Sequence, residues 1–464
     1  MNLAPYSKYK DSGQPFMGQV PAHWNVFRNG RLFSQRTETG FGELPILEVS
    51  LRTGVRVRDM DDPKRKQMMS DREQYKRAVQ GDIAYNMMRM WQGAVGIVPV
   101  DGLVSPAYVV ARPFSGVNSR YYAYLFRTPA YMGAVDTYSR GIVKDRNRLY
   151  WQDFKRMPSV VPPVEEQEQI VRFLDGVGSK IQRLTLNKRQ LIELLREQKQ
   201  NIINQAVTQG VDANVKLKPS GVEWIGEIPE HWKVAPLKHL SSINALVLPE
   251  STDQDFKFKY FDISLVGTGR LVGEPETLPF GQAPSRARRI LKRGDTIIST
   301  VRTYLKAVYY IADEVKDWIG STGFAVLTPK KMIHPPFLGL LLQSENFITR
   351  VIQYSDGVAY PAIPETRLGS LHLAYPESLG EQKEILEHVR KKSIEIDQAI
   401  SRAEREIELI GEYRTRLISD VVTGQVDVRE VDVPEVTDEE LLRLDGGSEE
   451  GEELIEDESA EVLQ

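Results

Sequence analysis

The strongest constraint on this 464-residue chain is that its sequence repeats itself in order. KYKDSGQPFMGQVPAHW (8–24) recurs as KLKPSGVEWIGEIPEHW (216–232). Lys8, Lys10, Ser12, Gly13, Gly18, Pro21, His23 and Trp24 thus match Lys216, Lys218, Ser220, Gly221, Gly226, Pro229, His231 and Trp232, all at an offset of 208. Gly81-Asp82 returns as Gly294-Asp295 and Arg89 as Arg302, at offset 213. Tyr138-Ser139 and Gly141 return as Tyr354-Ser355 and Gly357, at offset 216. Glu166-Gln167 returns as Glu381-Gln382, and Val207-Thr208 as Val422-Thr423, at offset 215. Preserved order with an offset that drifts by a few residues is the pattern of a duplicated unit with small loop insertions. The chain reads as two copies of a unit of about 210 residues, each long enough to bury its own core, followed by a tail.

Within each copy the texture changes once. Short apolar runs bounded by Gly, Pro and Asp read as strands: ELPILEVSL, GDIAYNMM and AVGIVPV in the first copy, FKYFDISLV, DTIISTV and AVYYIA in the second. Helical stretches (YYAYLFRTPAYMGAV and PPFLGLLLQSENFITRVIQ) follow, which predicts an α/β (α+β) globular domain. The last part of each copy opens on Pro and acids, which suit a helix N-terminus. It then carries apolar residues at alternating spacings of four and three. In the first copy this seam runs through Ile170, Leu174, Val177, Ile181, Leu184, Lys188, Leu191, Leu195, Gln198, Ile202 and Gln205. In the second it runs through Ile385, Val389, Lys392, Ile396, Ala399, Ala403, Glu406, Ile410, Tyr413, Leu417 and Asp420. That is a coiled-coil seam. Two long helices with wet stripes bury them best against each other, so the expectation is a pseudo-two-fold molecule with antiparallel helices separating the globular domains. The predicted layout is a first globular domain at 1–161, a first helix at 162–212, a second domain at 213–376, a second helix at 377–427, and an acidic tail at 428–464.

Charge distribution matters more than the net of −4. Residues 430–464 hold 15 acidic residues and one basic residue, Arg443, which leaves the rest of the chain at +10. Such a tail is expected to be solvated and disordered. The absence of cysteine excludes disulfides, Cys-based zinc sites, iron–sulfur clusters and thiol nucleophiles. No run approaches the length of a membrane span, and the start of the chain has no apolar signal core, so a soluble cytoplasmic protein is expected. No phosphate-binding loop, dinucleotide fingerprint or adenine-methyltransferase motif occurs. Asp82 and Asp295 follow glycines and have no Glu-x-Lys at useful spacing, so they read as turn residues rather than nuclease carboxylates. Two similar basic modules suit a target with two elements at fixed spacing, and duplex DNA is that target. A coiled-coil scaffold that binds only protein, or a nuclease with an unfamiliar active site, would fit the same outline.

The repeated I-G-x-I-P-x-H-W opening (Ile225, Gly226, Ile228, Pro229, His231, Trp232), the Gly-Asp turn before a strand, and the P-P-x-x-E-Q-x-x-I helix start (Pro162, Pro163, Glu166, Gln167, Ile170) resemble the specificity subunit of type I restriction–modification enzymes. The resemblance runs in order through 8–427. The first copy opens instead on Met17-Gly18-Gln19-Val20-Pro21, the second replaces the diproline by Pro376-Glu377, and the acidic tail lies outside the family pattern. The resemblance implies that each globular domain is a target-recognition domain for one half of an asymmetric bipartite site. It implies that the helices are spacers that dock two methyltransferase subunits, and that restriction/translocase subunits complete the complex. It also implies a chain with no catalysis and no cofactor of its own, with S-adenosylmethionine, ATP and Mg on the partner subunits.

Lysine and arginine on phosphates supply affinity, while sequence is read at base edges, where the arginine fork matches guanine O6 and N7. The candidates shared by both copies are Arg89 and Arg302, each with an aromatic two residues on (Trp91, Tyr304), followed by Lys306. A second group lies before Gly-Asp: Lys64, Arg65, Lys66, Arg72, Lys76 and Arg77, against Arg286, Arg288, Arg289, Lys292 and Arg293. A third is the donor-rich loop with Arg140, Lys144, Arg146 and Arg148, against the stretch that ends at Tyr360. Trp24 and Trp232 share a place after Pro and His and read as structural anchors. His23 and His231 read as locally satisfied rather than metal-bound.

Overall fold

The computed structural model describes residues 3–51, 53–58, 72–140, 147–212, 214–357, 360–434, 436–437 and 440–441. The elements divide into two units, Met1–Arg189 with Arg405–Gln464, and Gln190–Glu404. The first is discontinuous in sequence, because each long helix contributes one half to each unit.

In the first unit a four-stranded antiparallel sheet runs in the order Phe33–Arg36, Tyr108–Pro113, Ile83–Asn86, Val95–Ile97. All four residues of Ile83–Asn86 are buried, as expected of a strand covered on both faces. The helices Ser119–Phe126 and Pro129–Tyr138 follow. Asn118 caps the first by accepting from the Arg120 and Tyr121 amides, and Thr128 with Pro129 starts the second. The strand Asn25–Arg28 pairs with Pro158–Val161, which brings the two ends of the globular part together and launches the first long helix.

The second unit has a four-stranded antiparallel sheet in the order Ser241–Ile243, Phe324–Pro329, Thr296–Ser299, Val308–Tyr310. Lys233–Pro236 pairs with His372–Tyr375 at the base of the second long helix. A further sheet (Glu276–Pro279, Lys257–Phe261, Trp318–Ser321, Ala287–Leu291) contains one parallel pair. The mixed α/β class expected from the strand and helix patterns is therefore present in both units.

The long helices span Val164–Gln209 and Leu379–Val422. Within the second unit Arg196 meets Glu404 at 3.2 Å and Lys199 meets Asp397 at 2.7 Å, so the halves of the helices there run antiparallel. Within the first unit Lys188 meets Glu406 at 2.5 Å. These pairs are exposed and contribute at most about 1 kcal/mol each, so apolar burial carries the association. The seam differs from the heptad reading. It holds at Ile170, Leu174, Ile385, Val389, Ile396, Ala403 and Leu417, which are buried, and departs at Leu184, Leu191, Lys392, Glu406 and Tyr413, which face outward, while Ile192 and Ser393 are buried beside it. A helix has about 3.6 residues per turn, so single positions of a strict 3.5 repeat fall outside its buried face.

Both cores draw on both helices. The first packs Trp24, Tyr121, Phe126 and Phe154 with Ile170 and Leu174 of the first long helix and Leu417 and Val421 of the second. The second packs Trp232, Phe337 and Leu342 with Ile203 and Val207 of the first and Ile385 and Val389 of the second. Each helix stops at a left-handed glycine, Gly210 and Gly424, with φ of 76° and 77°. Among the described residues no helix is long and apolar enough to cross a membrane.

Two glycines, Gly411 inside the second helix and Gly424 just past its end, predict opposite outcomes. A Cβ on Gly424 would overlap the Pro21 ring and approach Trp24 at 3.0 Å, whereas one on Gly411 meets nothing. Gly424→Ala is expected to destabilise the first unit by about 1–3 kcal/mol, and Gly411→Ala to stabilise it by up to about 1 kcal/mol. Thermal unfolding of the two variants measures both.

Candidate nucleic-acid interface

The Pro-x-His-Trp and Glu-Gln motifs meet in each unit. In the first, the Glu166 carboxylate is buried and accepts from Trp24 Nε1 at 3.0 Å, from His23 Nε2 at 2.8 Å and from the Tyr6 hydroxyl. Burial first, then the bond to Glu166, holds the Tyr6 hydroxyl protonated far above the usual tyrosine range. In the second, Glu381 accepts from Trp232 Nε1 at 2.7 Å and from His231 Nε2 at 2.9 Å. The neighbouring glutamines bind backbone. Gln167 Oε1 accepts from the Asn118 amide and its Nε2 donates to Pro162. Gln382 Oε1 accepts from the His334 amide and its Nε2 donates to Pro376. Asn118 and His334 are the residues that open the first globular helix of each unit. The tryptophans are anchors and the histidines are satisfied by carboxylates, as the sequence suggested. The glutamates and glutamines were missed as their partners, although their recurrence at one offset was the available signal.

The Gly-Asp pairs are turns. Asp82 accepts from the Val79 amide and from Arg36, and Asp295 accepts from the Lys292 amide and Thr328. Burial pushes the Asp295 carboxyl up. Among the described residues no three His, Asp or Glu side chains converge as a metal site.

From each Gly-Asp turn a buried strand leads to a loop at its far end, and that loop lies against the segment after the second globular helix. In the first unit the Leu149 amide donates to Met87, and Arg140 and Arg148 bridge each other. This gathers Arg89, Arg140 and Arg148. Arg89 donates to Gln92 at 3.2 Å and Arg140 to Asp153 at 2.5 Å. In the second unit the Arg302 amide donates to Pro361, Val301 bridges Ala362, and Thr303 Oγ1 lies 2.8 Å from Ser355 Oγ. This gathers Arg302, Tyr304, Lys306 and Tyr360. Arg302 and Lys306 have φ of 51° and 53°, a left-handed backbone that costs an L side chain about 1–2 kcal/mol. The Arg302 guanidinium stands 5.0 Å over the Tyr360 ring. Lys306 pairs with Glu345 at 2.9 Å.

The remaining candidates are dispersed. Lys76 donates to the Pro106 and Tyr108 carbonyls, and burial lowers its pKa, so it is committed to the fold. Arg77 is paired with Glu38 and Asp101. Arg72 is exposed on a short 3₁₀ turn. Arg286 binds Tyr260 and Asp262, and its carbonyl accepts from Thr322 near the Arg302 loop. Arg288 lies over Phe280, and Arg289 is in the strand Ala287–Leu291 with a buried Nε. Lys292 and Arg293 sit at the Gly294 turn, the opposite end of the strand from Arg302, and Arg293 pairs with Glu314. Lys64, Arg65, Lys66, Lys144 and Arg146 lie outside the described residues, as does Leu442–Gln464 of the acidic tail. One exposed cation that the sequence reading passed over is Arg270. It lies in a Gly-rich turn whose Thr268 donates to the Lys306 carbonyl, and no recurring motif marks it.

No protein-family model matches the chain. Two curated proteins of Methanocaldococcus jannaschii do. The type I restriction enzyme MjaVIII specificity subunit is 28% identical over 290 residues, covering 60% of this chain and 64% of that protein. The putative type I restriction enzyme MjaX specificity subunit is 26% identical over 283 residues, covering 59% and 60%. The chain is similar to these type I specificity subunits. It spans about three fifths of the length of these curated relatives. Among solved structures, one from a study of complex assembly and conformational transition of the type I R-M system shares the fold. Its TM-score is 0.59 at 15% identity, covering 87% of this chain and 98% of that one.

The glutamates differ in load. Glu166 is nearly fully buried with three donors, whereas Glu381 is a quarter exposed with two. Glu166→Ala is expected to cost about 3 kcal/mol and Glu381→Ala less than half of that, read from the shift in urea midpoint.

Proposed function

We propose that this chain is the sequence-reading subunit of a type I restriction–modification complex. Each unit reads one half of an asymmetric bipartite site on double-stranded DNA, and the paired helices set the unread spacer and dock two methyltransferase subunits. The chain is a duplicated, pseudo-two-fold molecule in this reading, and it supplies recognition without catalysis. S-adenosylmethionine, ATP and Mg bind the partner subunits, restriction/translocase subunits join the complex, and the assembly works in the cytoplasm.

One observation carries the reading most. Each unit presents two loops side by side at the same end of an equivalent strand, while the side chains on those loops differ between units. A common scaffold with divergent loops is what two different half-sites require. Arg89, Arg140 and Arg148 are the readers assigned to the first unit, and Arg302, Tyr304 and Tyr360 to the second. The descriptions of the curated relatives support the subunit assignment. Exposed apolar residues on the long helices (Leu184, Leu186 and Tyr413 in the first unit, Leu191, Leu194 and Ile394 in the second) support docking of protein partners there.

Methylome sequencing of the host tests this reading. Deleting the gene is expected to abolish one bipartite adenine-methylation motif, and inserting about two helical turns into both long helices to lengthen only its unread spacer. Altered half-sites after the insertion, or no motif lost on deletion, would contradict it.

A further inference from the structure

The cations around the second unit's loop are held in different ways. Lys306 is engaged by Glu345, Arg286 by Asp262, and Arg367 by Asp356. Arg302 is held otherwise. Its left-handed backbone fixes the direction of its side chain. That backbone is pinned on both sides, since the Arg302 amide donates to Pro361 at 2.8 Å and the Ile363 amide donates to Thr300 at 2.9 Å. Glycine would meet the same turn without strain, so the arginine carries a backbone cost that a contact of its side chain can offset. The guanidinium rests over the Tyr360 ring, and among the described residues it makes no hydrogen bond. Tyr360 is itself 67% exposed, an aromatic ring on the surface.

A cation–π contact uses none of the N–H donors of a guanidinium and leaves them open to a ligand. An exposed arginine held over a ring, with its donors unspent, is available for bidentate hydrogen bonding to a planar acceptor pair. On duplex DNA that pair is O6 and N7 of guanine in the major groove. Building on the DNA-reading function above, we infer that Arg302 reads a guanine in the half-site of the second unit, and that Tyr360 is the positioning residue that makes it selective. Among the described residues of the first unit Arg89 has no such shelf: it is half-buried, with ordinary negative φ, and donates to Gln92. The device described here belongs to the half-site of the second unit.

The test is selection of bound duplexes from a randomised pool by the full-length chain assembled with its methyltransferase subunits. The wild type is expected to return a bipartite site with a guanine in one half. Tyr360→Ala should lower the preference for that one guanine by about tenfold, leaving the other positions and the salt dependence of binding unchanged. Tyr360→Phe should keep the preference, and Arg302→Lys should lose it. In an Arg302→Ala background, Tyr360→Ala should add nothing. The other half-site serves as the internal control for folding. If Tyr360→Ala binds with every base preference intact, or weakens all positions alike, the positioning role is overturned while the DNA-reading function stands. If the wild type selects no duplex, the DNA-reading function fails and this inference with it.

Discussion

A carboxylate that receives an indole N–H, buried in the first unit and a quarter exposed in the second, is the constraint on which the rest of each unit depends. In the first unit Trp24 donates to Glu166 at the start of one long helix and packs beside Gly424 at the end of the other. In the second, Trp232 donates to Glu381 and lies 3.6 Å from where a Cβ on Gly210 would stand. Each tryptophan thus ties a helix start to a helix end, which sets antiparallel pairing within that unit. A buried carboxylate is costly unless its oxygens are filled. Here Trp, His and, in the first unit, Tyr fill them, so the geometry is specified by the need to leave no charge unpaired. The adjacent glutamine extends the junction to the first globular helix, so helix, hairpin and globular body share one junction.

That junction frees the far end of the sheet. The strands Ile83–Asn86 and Thr296–Ser299 are wholly buried and cannot vary without loss of core. The loops that follow them bear fewer packing constraints and can carry different chemistry in the two units. The arginine stacked on Tyr360 and the arginine bound to Gln92 show how far two loops on like strands diverge. A reader of two unlike half-sites needs that combination of fixed support and variable tip.

The repeat made much of this legible. Recurrence at fixed offsets marked the anchors, the turns and the helix starts, and alternation between apolar and turn residues marked the strands. The resemblance to specificity subunits rested on the same motifs and agrees with the curated relatives. Three features were not legible. The heptad pattern missed single positions because a straight helix turns every 3.6 residues, and Ser393 entered the buried face where a hydrophobic pattern gives no hint of it. The interleaving of the units was hidden because contacts between distant segments leave no local trace. The state of each cation was hidden as well: Lys76 and Arg77 look like surface charge in sequence, yet one binds carbonyls and the other two carboxylates. Arg302 showed no sign of its left-handed backbone, since nothing in the residue itself favours that conformation.

Hydroxyl-radical footprinting of the full-length chain on its cognate duplex probes the central claim most directly. The account predicts two protected patches of unlike sequence, separated by an unprotected stretch. A single continuous footprint, or protection that does not change when the sequence of either patch is scrambled, would contradict it.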